Sequence, residues 1–245
     1  MADAKEHYDK LLADNYSWMF GGLENKTGEN KAYFDAHGIK PELSGIAIDL
    51  GAGSGFQSIP LSRIGFTVIA IDFSETLLAE IRANSNGLNI KTVNDDLLNF
   101  KKHVPYKIEL CVCMGDTLTH LNSLEDIEKL LNDIHSVLED DGKLILSFRD
   151  LSFELTELDR IIPVRSDAAK IFTCFLEYET DEVKVHDILY EHTSDGWQLK
   201  KSFYRKLRIS REWLIAKLIS LEYHIEGSNV NKGMVEIIAK KSRNK

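Results

Sequence analysis

Asp49-Leu50-Gly51-Ala52-Gly53-Ser54-Gly55 closes a short apolar run, residues 46–50, and opens a stretch whose spacing over residues 54–64 suits a helix. That order of strand, loop and helix decides the fold. The same unit recurs at once: residues 67–71 read as a buried strand, Ser74 as a helix N-cap, and Leu77, Leu78 and Ile81 share one helical face. Two βα units in succession imply a parallel sheet.

Outward from there, residues 89–93 and 108–114 suggest third and fourth strands. A helix over 124–138 follows, with Ser123 as N-cap and Asp126 placed as in an acidic capping box. A turn at 140–142 leads into a fifth strand over 143–148. Beyond Asp150 the rhythm changes. Residues 171–178, 183–192 and 197–207 read as three strands with no helices between them, joined by turns at 180–182 and 194–196. A helix over 211–221 and closing strands at 223–226 and 234–239, with a turn at 229–233, complete the plan, and no internal repeat or low-complexity tract marks a second domain.

The totals agree with one main core. The chain has 245 residues, 43% of them hydrophobic, and its 39 acids against 30 bases give a formal charge of -9, which argues against a broad phosphate-binding face and so against a nucleic-acid partner. The basic residues Lys200, Lys201, Arg205, Lys206, Arg208 and Arg211 alternate with apolar ones and read as a solvated face. Cys111 and Cys113 fall on one face of a strand as small buried hydrophobes, no Cys/His set has metal-ligand spacing, and three cysteines in all fit a reducing, cytoplasmic setting. No run approaches the ~20 apolar residues of a membrane helix, and the stretch from Asp3 to Lys10 has none of the apolar character of a targeting signal.

The loop itself carries chemistry. Glycines let main chain approach a ligand, and the following helix start offers unpaired N–H groups. A dinucleotide fingerprint would need glycine where Phe56 stands, which disfavours a nicotinamide dehydrogenase. A carboxylate at Asp49 would repel a pyrophosphate but attract an ammonium or a sulfonium. Asp72 ends the second strand, where a carboxylate accepts from both hydroxyls of a ribose.

The pattern acid-x-G-x-G-x-G resembles motif I of the class I S-adenosylmethionine-dependent methyltransferases. The resemblance implies S-adenosylmethionine as cofactor, S-adenosylhomocysteine as product, and a loop of Asp49, Gly51, Ala52, Gly53 and Gly55 around the methionine and ribose, with Phe73 beside the adenine. Asn94-Asp95-Asp96-Leu97 resembles the family's acidic motif, which implies Asp96, or alternatively Asp95, facing the adenine amino group and a neighbouring main-chain N–H, that of Leu97, at a ring nitrogen. The implied fold is α/β: a Rossmann-like, seven-stranded, mostly parallel sheet with helices on both faces and an antiparallel β insertion after the fifth strand. Within a single domain over 1–245, residues 1–44 would form a helical lid, 45–150 the cofactor-binding core, 151–209 the insertion over the active site and 210–245 the closing helix and strands.

Three further stretches look like glycine N-methyltransferase and its small-molecule relatives. Cys113-Met114-Gly115-Asp116-Thr117-Leu118-Thr119-His120-Leu121 is similar to their C-x-G-N-S-x-x-H-L segment, which implies Met114 and Gly115 at the cofactor and Asp116 and His120 facing the transferred methyl. Arg149 matches the arginine that holds a substrate carboxylate. Lys26-Thr27-Gly28-Glu29-Asn30-Lys31-Ala32 looks like R-T-A-E-x-K-A, implying Lys26 at the cofactor carboxylate, with Tyr16 closing over the methyl end. The departure is Asp116, where the family has asparagine: a second carboxylate repels a carboxylate substrate and suits an amine or hydroxyl donor.

The resemblance runs over 45–149, is thinner over 8–32 and is architectural after 150. Nothing here resembles the Pro-Pro-aromatic motif of amino-methylating nucleic-acid enzymes or a Pro-Cys nucleophile. The expectation is methyl transfer to a small-molecule acceptor, an amine nitrogen first, with His120 as a candidate base. O-methylation of a small acid or natural product, and a non-catalytic adenosylmethionine-binding module, are the alternatives. Oligomeric state is not legible in the sequence.

Overall fold

The computed structural model describes residues 4–104, 107–231 and 233–243. An irregular helical segment comes first: α1 (Ala4–His7) passes through a π turn over Tyr8–Leu12 and a 3-10 turn over Ala13–Asn15 into α2 (Tyr16–Met19), and the regular helix α3 (Leu23–Ala36) follows. The core then alternates as β1 (Ile46–Leu50), α4 (Ser58–Arg63), β2 (Thr67–Asp72), α5 (Glu75–Asn84), β3 (Ile90–Asn94), β4 (Ile108–Cys113), α6 (Leu124–Val137) and β5 (Leu138–Arg149). After the core come β6 (Ile161–Ser166), β7 (Lys170–Tyr178), β8 (Glu182–Thr193), β9 (Gly196–Leu207), α7 (Arg211–Ser220), β10 (Tyr223–Asn231) and β11 (Met234–Lys241).

Among the described residues the strands form two sheets. The larger has the order β10-β11-β5-β4-β1-β2-β3, with β11 antiparallel to both neighbours and the other core pairs parallel. The order reverses at β1 and β4, so the crevice at their carboxyl ends is where a doubly wound sheet places a ligand. Alternate residues of these strands feed two apolar layers. Ile48, Leu50, Cys111, Cys113, Leu144 and Leu146 pack with α6 and α7, while Ala47, Val68, Val112 and Ile145 pack with Phe34 of α3 and Leu61 of α4. Ser74, Ser123 and Ser210 cap α5, α6 and α7, each accepting from a main-chain N–H three residues on.

The smaller sheet, β6-β7-β8-β9, is wholly antiparallel. Its inner face, built from Phe172, Leu176, Val183, Val185 and Leu189, buries Leu11 and Leu12 of the N-terminal segment. That segment therefore lies between the two sheets.

Four local expectations are corrected. The helix after the glycine loop starts at Ser58 rather than Ser54, because Gly51, Gly53 and Gly55 hold φ of 72°, 52° and 87°. The turn at 140–142 is a kink within a longer β5, with Asp141 at φ 65°. The insertion has a fourth strand, β6, whose Pro163 removes a ladder donor and confines it to the sheet edge. Of the turn expected at 229–233, Lys232 lies outside the described residues; β10 runs on into that stretch, to Asn231, while β11 starts at Met234 as expected.

Candidate active site

The glycine loop crosses the carboxyl end of β1. The main-chain N–H groups of Gly51 and Ala52 both donate to Ile71 O of β2, at 2.9 and 3.0 Å, which turns the chain back over the sheet. A Cβ on Gly51 would lie 2.4 Å from Thr117, so that place requires glycine for space as well as for conformation; Gly53, at φ 52°, requires it for conformation, with the Tyr16 ring 3.1 Å from where a Cβ would stand. A cleft of about 440 Å³ opens beside this loop, lined by Gly51, Gly53, Asp72, Phe73 and Asp96 together with Tyr8, Tyr16 and His120.

The carboxylates around the loop are aimed by main chain. Asp72 accepts from Gly53 N at 2.9 Å through Oδ2 and from Ser74 N at 2.8 Å through Oδ1, which leaves each oxygen a lone pair toward the cleft. Burial raises its pKa, against those hydrogen bonds. Asp49 is 1% exposed. Its Oδ2 accepts from Ser58 Oγ at 2.6 Å, while Oδ1 is buried with no partner among the described residues. Burial is the main cause that pushes this carboxyl up to about 7. Asp95 is closed off by His103, Asn99 and the Asp96 N–H, and the His103 bond above all holds it down at about 2. Asp96 commits Oδ1 to the Leu98 N–H. Ser54 of the loop and Ser17 of the N-terminal segment both donate to Glu80, tying that segment to the loop.

Beyond His120 lies a second, polar region. The His120 ring stacks on Tyr204 (5.2 Å between centroids) and meets Tyr8 edge-on (5.8 Å). Its Nδ1 is buried without a partner among the described residues, and burial first, then Lys206, depress the ring to about 3, so it is neutral near pH 7. Asp116 accepts from the Arg149 main-chain N–H at 2.7 Å and from Lys206 Nζ at 2.7 Å. Burial drives that carboxyl up, but Lys206 and then Arg149 outweigh burial and hold it below its ordinary value. Across the Tyr204 ring, His7 Nε2 lies 2.7 Å from Asp187 Oδ2, and the Cys174 thiol donates to Asp187 Oδ1 at 2.9 Å.

Residues 47–142 match the methyltransferase domain family. Those residues of the chain form a methyltransferase domain. A glycine/sarcosine N-methyltransferase from Aphanothece halophytica is 35% identical over 156 residues, 62% of this chain and 59% of the relative. Another, from Halorhodospira halochloris, is 31% identical over 149 residues, 59% of this chain and 56% of the relative. The match thus spans less than two thirds of these relatives. An S-adenosylmethionine-dependent methyltransferase structure from Clostridium acetobutylicum superposes with a TM-score of 0.72 over 97% of each chain at 16% identity. An amino pentose methyltransferase from Micromonospora echinaspora, solved with S-adenosylmethionine bound, gives 0.71 over 94% of each chain at 12% identity. At such identities the likeness concerns the fold.

Within the methyltransferase domain the cleft gathers Gly51, Gly53, Asp72, Phe73, Asp95, Asp96, Leu97, His120 and Tyr16 of the residues singled out in the sequence. Ala52 and Gly55 support the loop from behind. Met114 is packed in the core, and Gly115 donates to Ser147 Oγ at 2.8 Å. Asp116 and Arg149 lie beyond the cleft lining, and Lys26 stands outside it with its ammonium on Glu29 at 2.9 Å. Two readings are corrected. Lys206 does not belong to a solvated face: only a tenth of its side chain is exposed. Asp116 is therefore not a bare carboxylate, and the repulsion expected of it toward an acidic substrate is cancelled. Sequence reading missed Lys206, Tyr204, His7 and Asp187. A signal existed for two of them: Asp187 sits in the apolar phase of Val183, Val185 and Leu189, and Lys206 shares its strand face with buried Tyr204.

Proposed function

We propose that this chain transfers a methyl group from S-adenosylmethionine to the nitrogen of a small amine. The cleft suits the cofactor on its own geometry: Asp72 keeps acceptor capacity for a diol on both oxygens, and beneath the loop, behind the cleft lining, Asp49 has an Oδ1 with no partner among the described residues, which favours a cation nearby. Asp72 would accept from the ribose hydroxyls, Asp96 through Oδ2 from the adenine amino group, and Phe73 would lie along the ring. When bound, the cofactor supplies a methyl group already activated on a sulfonium. What the protein adds is alignment and exclusion of water, with Tyr8 and Tyr16 over the cleft and the segment over 4–19 as lid under the β insertion. The role of Lys26 at the cofactor carboxylate rests on its motif alone.

The observation that carries the amine reading is the region beyond His120, walled by Tyr8 and Tyr204 and holding an Asp116 carboxylate already compensated by Lys206. Aromatic faces stabilise a methylated ammonium product. The relatives named for glycine and sarcosine fit this, and Arg149 would meet an acidic group on such an amine. His120, neutral and a weak base, serves to orient the acceptor.

The test is to incubate the protein with methyl-labelled S-adenosylmethionine and cell extract split into small molecules and macromolecules, with Asp72→Ala as control. Label is expected in the small-molecule fraction, on an amine identified by mass, and absent in the control. Label confined to protein or RNA, or on an oxygen, would overturn the reading. Arg149→Ala should raise the acceptor KM more than it weakens adenosylhomocysteine binding.

A further inference from the structure

One buried charge pair joins the insertion to the core. Lys206 Nζ, on β9, reaches across 90 residues of sequence to Asp116 Oδ2 at 2.7 Å, and the Arg149 guanidinium Nε is 4.0 Å from the same oxygen. The ammonium also lies over the Tyr204 ring at 5.6 Å. Largely withdrawn from water, such charges act over longer range than at a surface.

An amine can attack only through a free lone pair, yet most small amines are protonated at neutral pH. A bare carboxylate beside the nitrogen would make this worse, because an opposite charge within ~4–6 Å favours the charged form by about 1–3 pH units. Asp116 is the carboxylate on the acceptor side, and Lys206 compensates it. Apart from the Arg149 guanidinium, which adds to the compensation of Asp116, the other groups facing this region are neutral or mutually closed. His120, from the turn after β4, is neutral, and burial holds the Tyr8 and Tyr204 hydroxyls protonated. Asp187 of β8 is taken up by His7 of the N-terminal segment and Cys174 of β7, and Asp72 stands on the cofactor side of the cleft.

We propose that Lys206 is a positioning residue that, by neutralising Asp116, keeps the acceptor amine deprotonated and ready to attack near pH 7. The inference rests on the amine reading given above. The surplus proton of the ammonium leaves to solvent on binding. The nitrogen lone pair then forms the bond to the methyl carbon, the carbon–sulfur pair passes to sulfur, and the methylated ammonium releases its own proton to solvent. No side-chain base is required, in keeping with a His120 that binds protons weakly.

The test compares the wild type with Lys206→Met, Lys206→Arg, Asp116→Asn and the double variant Asp116→Asn/Lys206→Met. The probes are glycine, sarcosine and the amine identified from extract. Three quantities are read: the pH profile of kcat, which reports groups in the enzyme–substrate complex, the calorimetric affinity for adenosylhomocysteine, and thermal unfolding. Lys206→Met should move the acid limb of kcat upward by about one pH unit, a loss of about tenfold near pH 7 that is recovered at higher pH. Asp116→Asn should move it downward, Lys206→Arg should leave it in place, and the double variant should return it close to the wild type. Adenosylhomocysteine affinity should stay within about twofold throughout, since the pair lies outside the cofactor cleft. An acid limb that stays put in Lys206→Met, whatever the overall rate, overturns the proposal. If that variant does not fold, an unmoved or upward limb in Asp116→Asn overturns it instead. A wild type that binds adenosylhomocysteine and methylates no amine defeats the amine reading, and this proposal with it; an active wild type with unshifted limbs defeats this proposal alone.

Discussion

Asp49 in the cofactor half and Asp187 in the insertion are each 1% exposed, yet the fold treats them in opposite ways. Asp187 has both oxygens occupied, by His7 and Cys174. Asp49 has one serine hydroxyl and an oxygen with no partner among the described residues, and its carboxyl rises to about 7. The same contrast separates Asp72, held by main-chain N–H groups alone, from Asp116, compensated by Lys206. Asp49 and Asp72 keep acceptor capacity that no other charged group of the described residues takes up. Asp187 and Asp116 find their partners within the chain. Carboxylates of the first kind cost stability and create affinity; those of the second kind hold elements together.

The sharpest way to break this contrast is to exchange the expected readouts. Asp187→Ala should lower unfolding stability by about 3 kcal/mol, because it strands His7 and Cys174 in the interior, while adenosylhomocysteine affinity stays within about threefold. A large loss of affinity with an unchanged Tm would put Asp187 in the wrong class. Asp72→Ala should do the opposite, weakening adenosylhomocysteine about 100-fold through two lost hydrogen bonds to a charged acceptor, with little change in Tm.

The pH dependence of Asp49 sharpens the comparison further. Its folded value of about 7 lies above the ordinary carboxylate value near 3.9, so the folded state keeps a proton that the unfolded chain has lost. The stability attached to that proton falls as pH rises from about 4 to about 7 and is gone above it. A cationic ligand favours the ionised form, so adenosylmethionine affinity should rise up to about tenfold per pH unit below pH 7 and level off above it. In Asp49→Asn the affinity should be lower and flat with pH, and the Tm above pH 7 higher than in the wild type. Isothermal calorimetry between pH 5.5 and pH 8.5, at values chosen about half a unit apart, reads the slope; a flat wild-type profile would show that Asp49 does not face the cation. The smallest effect belongs to Lys200, which pairs with Glu191 on the surface: Lys200→Ala should change stability by less than about 0.5 kcal/mol.

The cofactor half was far more legible than the acceptor half. Glycines at alternate positions, an acid before them and an acid at the end of the next strand are neighbours in a pattern that periodicity and spacing expose. The proposed acceptor side draws on His7, Asp116, Arg149, Tyr204 and Lys206, which the sequence scatters over the N-terminal segment, the turn after β4, β5 and β9. Lys206 was misread because alternation with apolar residues looks the same whether the alternate face meets water or a buried carboxylate. The edge strand β6 went unread because Pro163 and its exposed residues weaken the strand signal.

The sequence by itself determined the order of strands and helices from β1 to β5, the parallel core and the glycine loop, since periodicity, caps and turn residues act between positions a few residues apart. Only the tertiary structure decided which carboxylates would find a partner. The His7–Asp187 contact spans 180 residues and Lys206–Asp116 spans 90, and a charge at such separation has no partner until the insertion and the N-terminal segment close over the core and exclude the water that would otherwise solvate it.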